Sequence, residues 1–171
     1  MATTYELITN YTVGSGGTSL ISLNPISSAY TDLLLKISIR GTNSSVNGSV
    51  SLGFNGTSTT SNWNVVFIEG SGTSVSGGSG TSGVVGYPPA ANATASTFGS
   101  VDIYIPNYLS SSLNKTLISD SVGENNGTTA YSNLVTNTWN VTNAITSIEI
   151  TNGVGNIAQY STAYLYGIKN S

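Results

Sequence analysis

The sequence contains no histidine and no cysteine among its 171 residues, and only 6% of its residues are charged. Histidine is the most common general acid or base near neutral pH, and cysteine supplies the thiol nucleophile, so both kinds of catalysis are excluded. Without cysteine and histidine there is also no disulfide framework and no zinc finger. We therefore expect a protein that is not an enzyme and that uses no cofactor.

Positive charge is scarce, with four Lys and Arg against seven Asp and Glu and a net charge of −3. Nucleic-acid binding needs a basic patch, so we expect no nucleic-acid partner. No apolar run approaches the length of about 18 residues that indicates a transmembrane helix, so we expect no membrane partner. The first residues, MATTYELITNYTVG, have neither the basic region nor the apolar region of a secretory signal.

Small polar residues are abundant instead, because Ser, Thr, Asn and Gly account for 90 of the 171 residues. Disordered chains combine low hydrophobicity with high net charge, whereas this chain is 38% hydrophobic with little charge. Gly, Ser, Thr and Asn are poor helix formers, and they suit turns and exposed strand faces. The composition therefore predicts a folded β protein.

Apolar residues recur with a period of two. Leu35, Ile37 and Ile39 share one face of a predicted strand, and Lys36 and Ser38 share the other. Similar runs are found at 4–13, 19–23, 50–54, 62–69, 101–105, 115–122, 130–141, 145–151 and 160–168. Asn-Gly pairs, which favour tight turns, end several of these runs at 47–48, 55–56, 126–127 and 152–153.

These strands predict a single-domain antiparallel β-sandwich, because no helix is available for parallel crossovers. A jelly roll is the common way to arrange eight or more such strands in two sheets. Residues 70–83, GSGTSVSGGSGTSG, are typical of a flexible segment and predict a long Gly/Ser surface loop. As an interdomain linker this segment would leave two halves with marginal cores, so we expect one domain over 1–171.

Both ends of the chain carry a family resemblance. Residues 5–41 contain two strand patterns, then Pro25 separated by four residues from Tyr-Thr-Asp-Leu, then a long strand ending in Arg40. Residues 145–171 end the last strand on Leu-Tyr-Gly-Ile. This order resembles small virion structural proteins of tailed bacteriophages, whose jelly-roll domains serve as capsid decoration (cement) proteins or as appendage components.

The resemblance implies a non-enzymatic capsid decoration protein on the virion surface, made in the host bacterial cytoplasm. Such a protein is expected to form a homotrimer, to bind the major capsid protein and to stabilise the assembled head. The alternative is a tail or fibre protein that recognises a host surface glycan. A secreted carbohydrate-binding module is a third possibility, which the missing signal disfavours.

Five residues are candidates for contact with a partner: Lys36, Arg40, Tyr87, Tyr131 and Trp139. The two cations are expected on one strand face, where they contact either an acidic neighbour or an intramolecular partner such as Glu149. The three aromatic residues lie on or near predicted strands, and exposed aromatic side chains anchor protein contacts or stack on sugars. The aromatic strip over 160–168 is expected to be mostly core.

Two groups of acidic residues are spaced as in known kinds of site. Asp102 and Asp120 lie on neighbouring predicted strands and can meet, as the paired carboxyls of a glycosidase do. Residues 120–126, DSVGENN, offer oxygen ligands of the kind calcium prefers. Outward solvated carboxylates and an ordinary turn explain the same residues, and we expect neither catalysis nor a metal.

Overall fold

The computed structural model describes residues 4–57, 60–124, 127 and 130–169. Over these ranges the chain forms twelve β-strands and no helix, so it has no helix able to cross a membrane. The strands are β1 (Tyr5–Thr12), β2 (Leu20–Leu23), β3 (Asp32–Ile39), β4 (Val50–Phe54), β5 (Trp63–Ser71), β6 (Ser74–Gly80), β7 (Val84–Gly86), β8 (Gly99–Ile105), β9 (Lys115–Glu124), β10 (Ala130–Trp139), β11 (Ile148–Asn152) and β12 (Thr162–Ile168).

Two antiparallel sheets form a β-sandwich, which confirms the predicted fold class. The larger sheet has eight strands in the order β1-β12-β3-β8-β9-β10-β5-β6. The smaller sheet has four strands in the order β2-β11-β4-β7. Strands from before and after the segment 70–83 pair with one another in both sheets. In the larger sheet β5 pairs with β10, and in the smaller sheet β4 pairs with β7.

The connectivity is that of a jelly roll with two insertions. Without β5, β6, β9 and β10, eight strands remain in two sheets of four, ordered β1-β12-β3-β8 and β2-β11-β4-β7. Along the chain these strands cross between the sheets repeatedly, as in two interlocked Greek keys. We call these eight strands the jelly-roll core. The hairpins β5–β6 and β9–β10 add to one side of the larger sheet, and we call them the extension.

The hydrophobic core lies between the sheets and is mainly aliphatic. The side chains that β3 directs inward, Leu33, Leu35, Ile37 and Ile39, are almost completely buried, as the period of two predicts. At the end where β5 and β10 join the core, Phe54 packs 5.1 Å from Trp63 and 5.3 Å from Trp139 between ring centroids. Edge and tilted ring packing of this kind adds to the burial of apolar area.

The predicted loop over 70–83 is wrong, because most of this segment is strand. The chain turns at Gly72, which has a φ of +59°, and β6 then pairs with β5 from Ser71↔Ser74 to Val65↔Gly80. An antiparallel pair is joined through backbone N–H and C=O groups, so it needs no side-chain volume. The composition of a flexible loop therefore also fits a strand with almost no side chains.

One Asn-Gly turn is confirmed in detail. Asn55 and Gly56 have φ values of 55° and 73°, and the Thr57 N–H donates to the Phe54 carbonyl at 3.0 Å. Asn47-Gly48 joins no hairpin, since Gly48 N–H bonds the Pro88 carbonyl in a loop between β3 and β4. Asn126 lies outside the described residues.

Candidate functional site

The extension carries apolar side chains on both faces of its strands. Its outward face has aliphatic residues that are 44–57% exposed: Val66, Ile68, Ile118, Val122 and Leu134. Its inward face mixes buried apolar residues, such as Val65, Leu117 and Val135, with buried polar ones: Ser119, Ser121, Asn133 and Asn137. An aliphatic outward face is unusual for a sheet whose other face already packs on the core, because that outward face meets water.

The outward aliphatic residues surround the exposed Asp120, which lies between Ile118 and Val122 on β9 and faces Leu134. We call these aliphatic residues the outer aliphatic patch (Val66, Ile68, Ile118, Val122 and Leu134). Ile68 lies directly opposite Leu134 in the β5–β10 register, and Thr136 lies between Val66 and Ile118. A shallow hollow of about 440 Å³ adjoins Val66 and Ile118. The side chains therefore stand close enough to contact a single partner.

The patch continues as a lateral line across seven of the eight strands of the sheet, from β5 to β1. Residues that face each other on seven neighbouring strands form this line: Val66, Thr136, Ile118, Tyr104, Leu34, Tyr166 and Leu7. Thr136 is the only short polar residue in it. A second hollow of about 380 Å³ lies farther along the sheet, next to Leu34 and Tyr166.

The inward face of the extension is covered by β7. The Ser119 hydroxyl donates to the Val85 carbonyl at 2.8 Å, and the Asn137 amide donates to the Val84 carbonyl at 2.9 Å. Asn133 is 2% exposed, and neither its Nδ2 nor its Oδ1 has a hydrogen-bond partner. Ser119 and Asn137 therefore hold β7, a strand of the smaller sheet, through its backbone carbonyls.

Tyr87, one of the predicted contact residues, is half-buried above this inward face. Its ring centroid lies 6.3 Å from that of Phe67 in an edge-on arrangement. Burial and the nearby Glu69 carboxylate raise the pKa of the Tyr87 hydroxyl. The rings of Phe67 and Tyr87 border a recess of about 190 Å³, smaller than a typical pocket for a drug-sized ligand.

Tyr131, a second predicted contact residue, is half-buried at the start of β10. It faces Gly123 in the β9–β10 register, and the inward side of Gly123 lies against the backbone of Tyr87. The structure therefore brings Tyr87 and Tyr131 to the same end of the extension.

Lys36 and Asp102 form an ion pair on the outward face, and Asp120 is next in line. Lys36 faces Asp102 in the β3–β8 register, and its Nζ donates to Asp102 Oδ2. Asp102 faces Asp120 in the β8–β9 register, so the two aspartates lie on neighbouring strands, as the sequence predicts, and both are on the outward face. Like charges directly opposite each other are unfavourable, and the Lys36 ammonium offsets this repulsion.

Arg40 follows the same strand but binds a loop of its own chain. Its guanidinium donates to the carbonyls of Thr94 at 2.7 Å and Thr97 at 2.8 Å, and to those of Ala91 and Ala93 at longer distances. The sequence suggests Glu149 as an intramolecular partner for Arg40, but the actual partners are backbone carbonyls. Arg40 therefore fixes the 91–97 loop.

Trp139 does not fit the predicted role of a contact residue. It is 1% exposed and packs against Phe54 and Trp63, so no partner reaches it in the folded protein. The expectation of a buried aromatic strip over 160–168 is also wrong. Tyr164 and Tyr166 of β12 face outward, because Ala163 and Leu165 take the inward positions.

Lys115 is a buried cation that the sequence did not single out. It is 1% exposed, and its Nζ donates to the carbonyls of Ser110, Leu113 and Thr142 at 2.7–2.9 Å. Burial lowers the pKa of this amine. Its position at the inward start of β9 follows from the strand alternation, but its carbonyl partners come from loops that the sequence does not place.

No metal site is apparent in the part of the chain that the structure describes, where no three acidic side chains cluster. In segment 120–126, which offers oxygen ligands in the sequence, Glu124 accepts hydrogen bonds from the Thr94 N–H at 3.1 Å and hydroxyl at 2.8 Å. Residues 125 and 126 lie outside the described residues.

The fold thus defines a jelly-roll β-sandwich with an extended sheet. No family model matches the sequence, and no curated protein matches it significantly. The galectin LEC-6 of Caenorhabditis elegans is similar in structure over 91% of this chain and 94% of its own, with 11% identity and a TM-score of 0.36. A likeness at this level carries no information on ligand or partner.

Proposed function

We propose that the protein is a non-enzymatic binding protein that docks the outward face of its eight-stranded sheet onto a partner protein. The observation that carries this proposal is the outer aliphatic patch of the extension, whose five side chains are 44–57% exposed. Burial of apolar area is the dominant favourable term in protein association. A partner that covers this patch removes the cost of exposing it.

The partner we propose is the major capsid protein in an assembled bacteriophage head, so that the protein acts as a capsid decoration protein. Its support is the resemblance of residues 5–41 and 145–171 to tailed-phage virion proteins, together with a broad docking face. A protein that binds only the assembled shell stabilises that shell by mass action. This role needs no catalytic group and no cofactor.

The experiment measures binding of the purified protein to phage heads that lack it. Ile118→Lys with Leu134→Lys places two charges in the outer aliphatic patch, and we expect at least about tenfold weaker binding. Val154→Lys is the matched control, since Val154 is 70% exposed in a loop away from this face. Equal binding by both variants would contradict the docking face.

The alternative, recognition of a host surface glycan by a tail or fibre component, has its support in the half-buried rings of Phe67 and Tyr87. Gold-labelled antibody on intact particles separates the two roles. Label over the head supports decoration. Label confined to the tail, with binding to host polysaccharide that Tyr87→Ala abolishes, would replace it with the glycan role.

A further inference from the structure

The edge strand β6 lacks the features that usually keep sheet edges from pairing. Ser74–Gly80 contains no charged residue and no proline, and its pairing with β5 is regular over its whole length. An edge strand presents unpaired N–H and C=O groups to solvent, so a regular and uncharged edge is a template for another strand.

The opposite edge of the same sheet is protected. The register of β1 with β12 shifts between Leu7 and Thr9, which indicates a bulge. Glu6 places a charge on this edge and pairs with Lys169 at 3.2 Å. Bulges and charges are the devices that natural edge strands use against pairing, so the two edges of this sheet are built for different surroundings.

The side chains of β6 also favour a second copy of the same strand. Every residue of Ser74–Gly80 is Ser or Gly except Val75, so β6 offers little with which to select a different sequence. Gly78 lies under the Phe67 ring, where an added Cβ would stand 2.9 Å from the ring and make it shift. Two such strands pair through their backbones without steric conflict.

Charge does not oppose this pairing, although the chain carries a net charge of −3. On β5 the charged residue is Glu69, which faces Ser76. When two β6 strands pair, the two β5 strands lie three strand spacings apart, about 14 Å. That separation exceeds the screening length of about 8 Å at physiological ionic strength.

We propose that β6 pairs antiparallel with β6 of a second copy of this chain. The two-fold axis lies between the two Gly77 residues, which face each other. Gly77 is the middle residue of Ser74–Gly80, so this register pairs all seven residues of both strands. The two eight-stranded sheets then form one continuous sheet with an isologous interface. In this register Val75 faces Ser79 of the second copy.

The pairing brings the two outer aliphatic patches together. Ser79 faces Val66 of β5 on the outward side of the sheet. Val75 of the second copy lies next in the same line, so the most exposed aliphatic side chain, at 78%, joins the two patches. The interface forms in the isolated protein and does not rest on the proposed partner, so the two can fail separately.

The test is the oligomeric state, measured by sedimentation velocity over a range of concentrations. The unmodified protein is expected to dimerise. Val75→Lys with Ser79→Lys places lysine opposite lysine twice, and we expect dimerisation to weaken at least about tenfold. Val75→Lys with Ser79→Glu places lysine opposite glutamate twice and is expected to keep the dimer. Both variants carry the same lysine at an exposed position, so a folding defect does not account for a difference between them.

Three outcomes would overturn the proposal. They are a monomer at every concentration up to the solubility limit, an oligomer with an odd number of copies, and equal dimerisation by the two double variants. Val154→Lys adds the same charge away from β6 and is expected to leave the dimer unchanged. Normal head binding by a monomeric protein would reject this interface and leave the proposed function standing.

Discussion

The jelly-roll core and the extension use the same strand alternation but distribute their apolar side chains differently. On β3 and β8 of the core, inward positions hold Leu, Ile and Val, and the lysine and aspartate of the ion pair face outward. On β9 and β10 of the extension, serine and asparagine share the inward face with Leu117, Val135 and Trp139, and isoleucine, valine and leucine also face outward. The core therefore keeps its aliphatic side chains inside the fold, whereas the extension gains from a surface that covers its outward face.

The difference also concerns how each region is held. The core is stabilised mainly by burial of aliphatic and aromatic side chains between two sheets. The extension is held to the smaller sheet partly by side-chain hydrogen bonds to the backbone of β7. Such bonds contribute about 1 kcal/mol each, less than the burial of a large apolar side chain.

The largest expected effect separates the core from the outer aliphatic patch. Phe54→Ala removes a buried ring that contacts both tryptophans, and we expect a loss of about 3–5 kcal/mol in the free energy of unfolding. Ile118→Ala truncates a side chain that is 44% exposed, and we expect a change of about 0.5 kcal/mol or less. Chemical denaturation measures the free energy of unfolding of both variants. Similar losses would contradict the distinction between the buried core and the exposed patch.

Smaller changes in the free energy of unfolding are expected from the buried asparagines of the extension. Asn133→Leu removes a buried amide without partners, and we expect the free energy of unfolding to rise by about 1 kcal/mol. Asn137→Leu, on the same strand face, loses the bond to the Val84 carbonyl and is expected to destabilise by about 1 kcal/mol. Thermal or urea unfolding measures the sign of the change in the free energy of unfolding for each variant. A decrease for Asn133→Leu would mean that its amide has a role in the fold.

The smallest effect lies at the junction of the two regions, where Asp102 of the core faces Asp120 of the extension. Lys36→Met removes the neighbouring cation, and we expect a loss of at most about 1 kcal/mol because these groups are partly exposed. The loss is expected to shrink as salt is added. Adding Asp120→Asn is expected to restore stability. A loss independent of salt would show that packing, not charge, is responsible.

The sequence was sufficient to predict the core strands, since the alternation of Leu35, Ile37 and Ile39 specifies an inward face. It also placed Asp102 and Asp120 on neighbouring strands. The alternation of burial on β9 and β10 is equally regular, but hydrophobicity does not distinguish the two faces, because both carry apolar residues. The face that Val135 and Trp139 share with two asparagines becomes clear only when β7 is placed above it.

Other features depend on contacts between distant segments. A Gly/Ser segment has the same composition as a loop and as a backbone-paired strand, so β6 was not predictable without its partner β5. The partners of Arg40 are carbonyls more than fifty residues away, and no side-chain pattern indicates them. The cluster around Phe54 buries Trp139 on a strand whose sequence also fits an exposed position.

The burial of Lys115 has a consequence for chemical labelling. Lys36 and Lys169 are about half exposed, whereas the Lys115 amine is enclosed and bound to three carbonyls. Amine-reactive reagents modify accessible, unprotonated amines, so Lys115 reacts only when the start of β9 separates from the loops at 110–113 and 142. The rate of acylation at Lys115 therefore reports how often the extension opens locally at the start of β9.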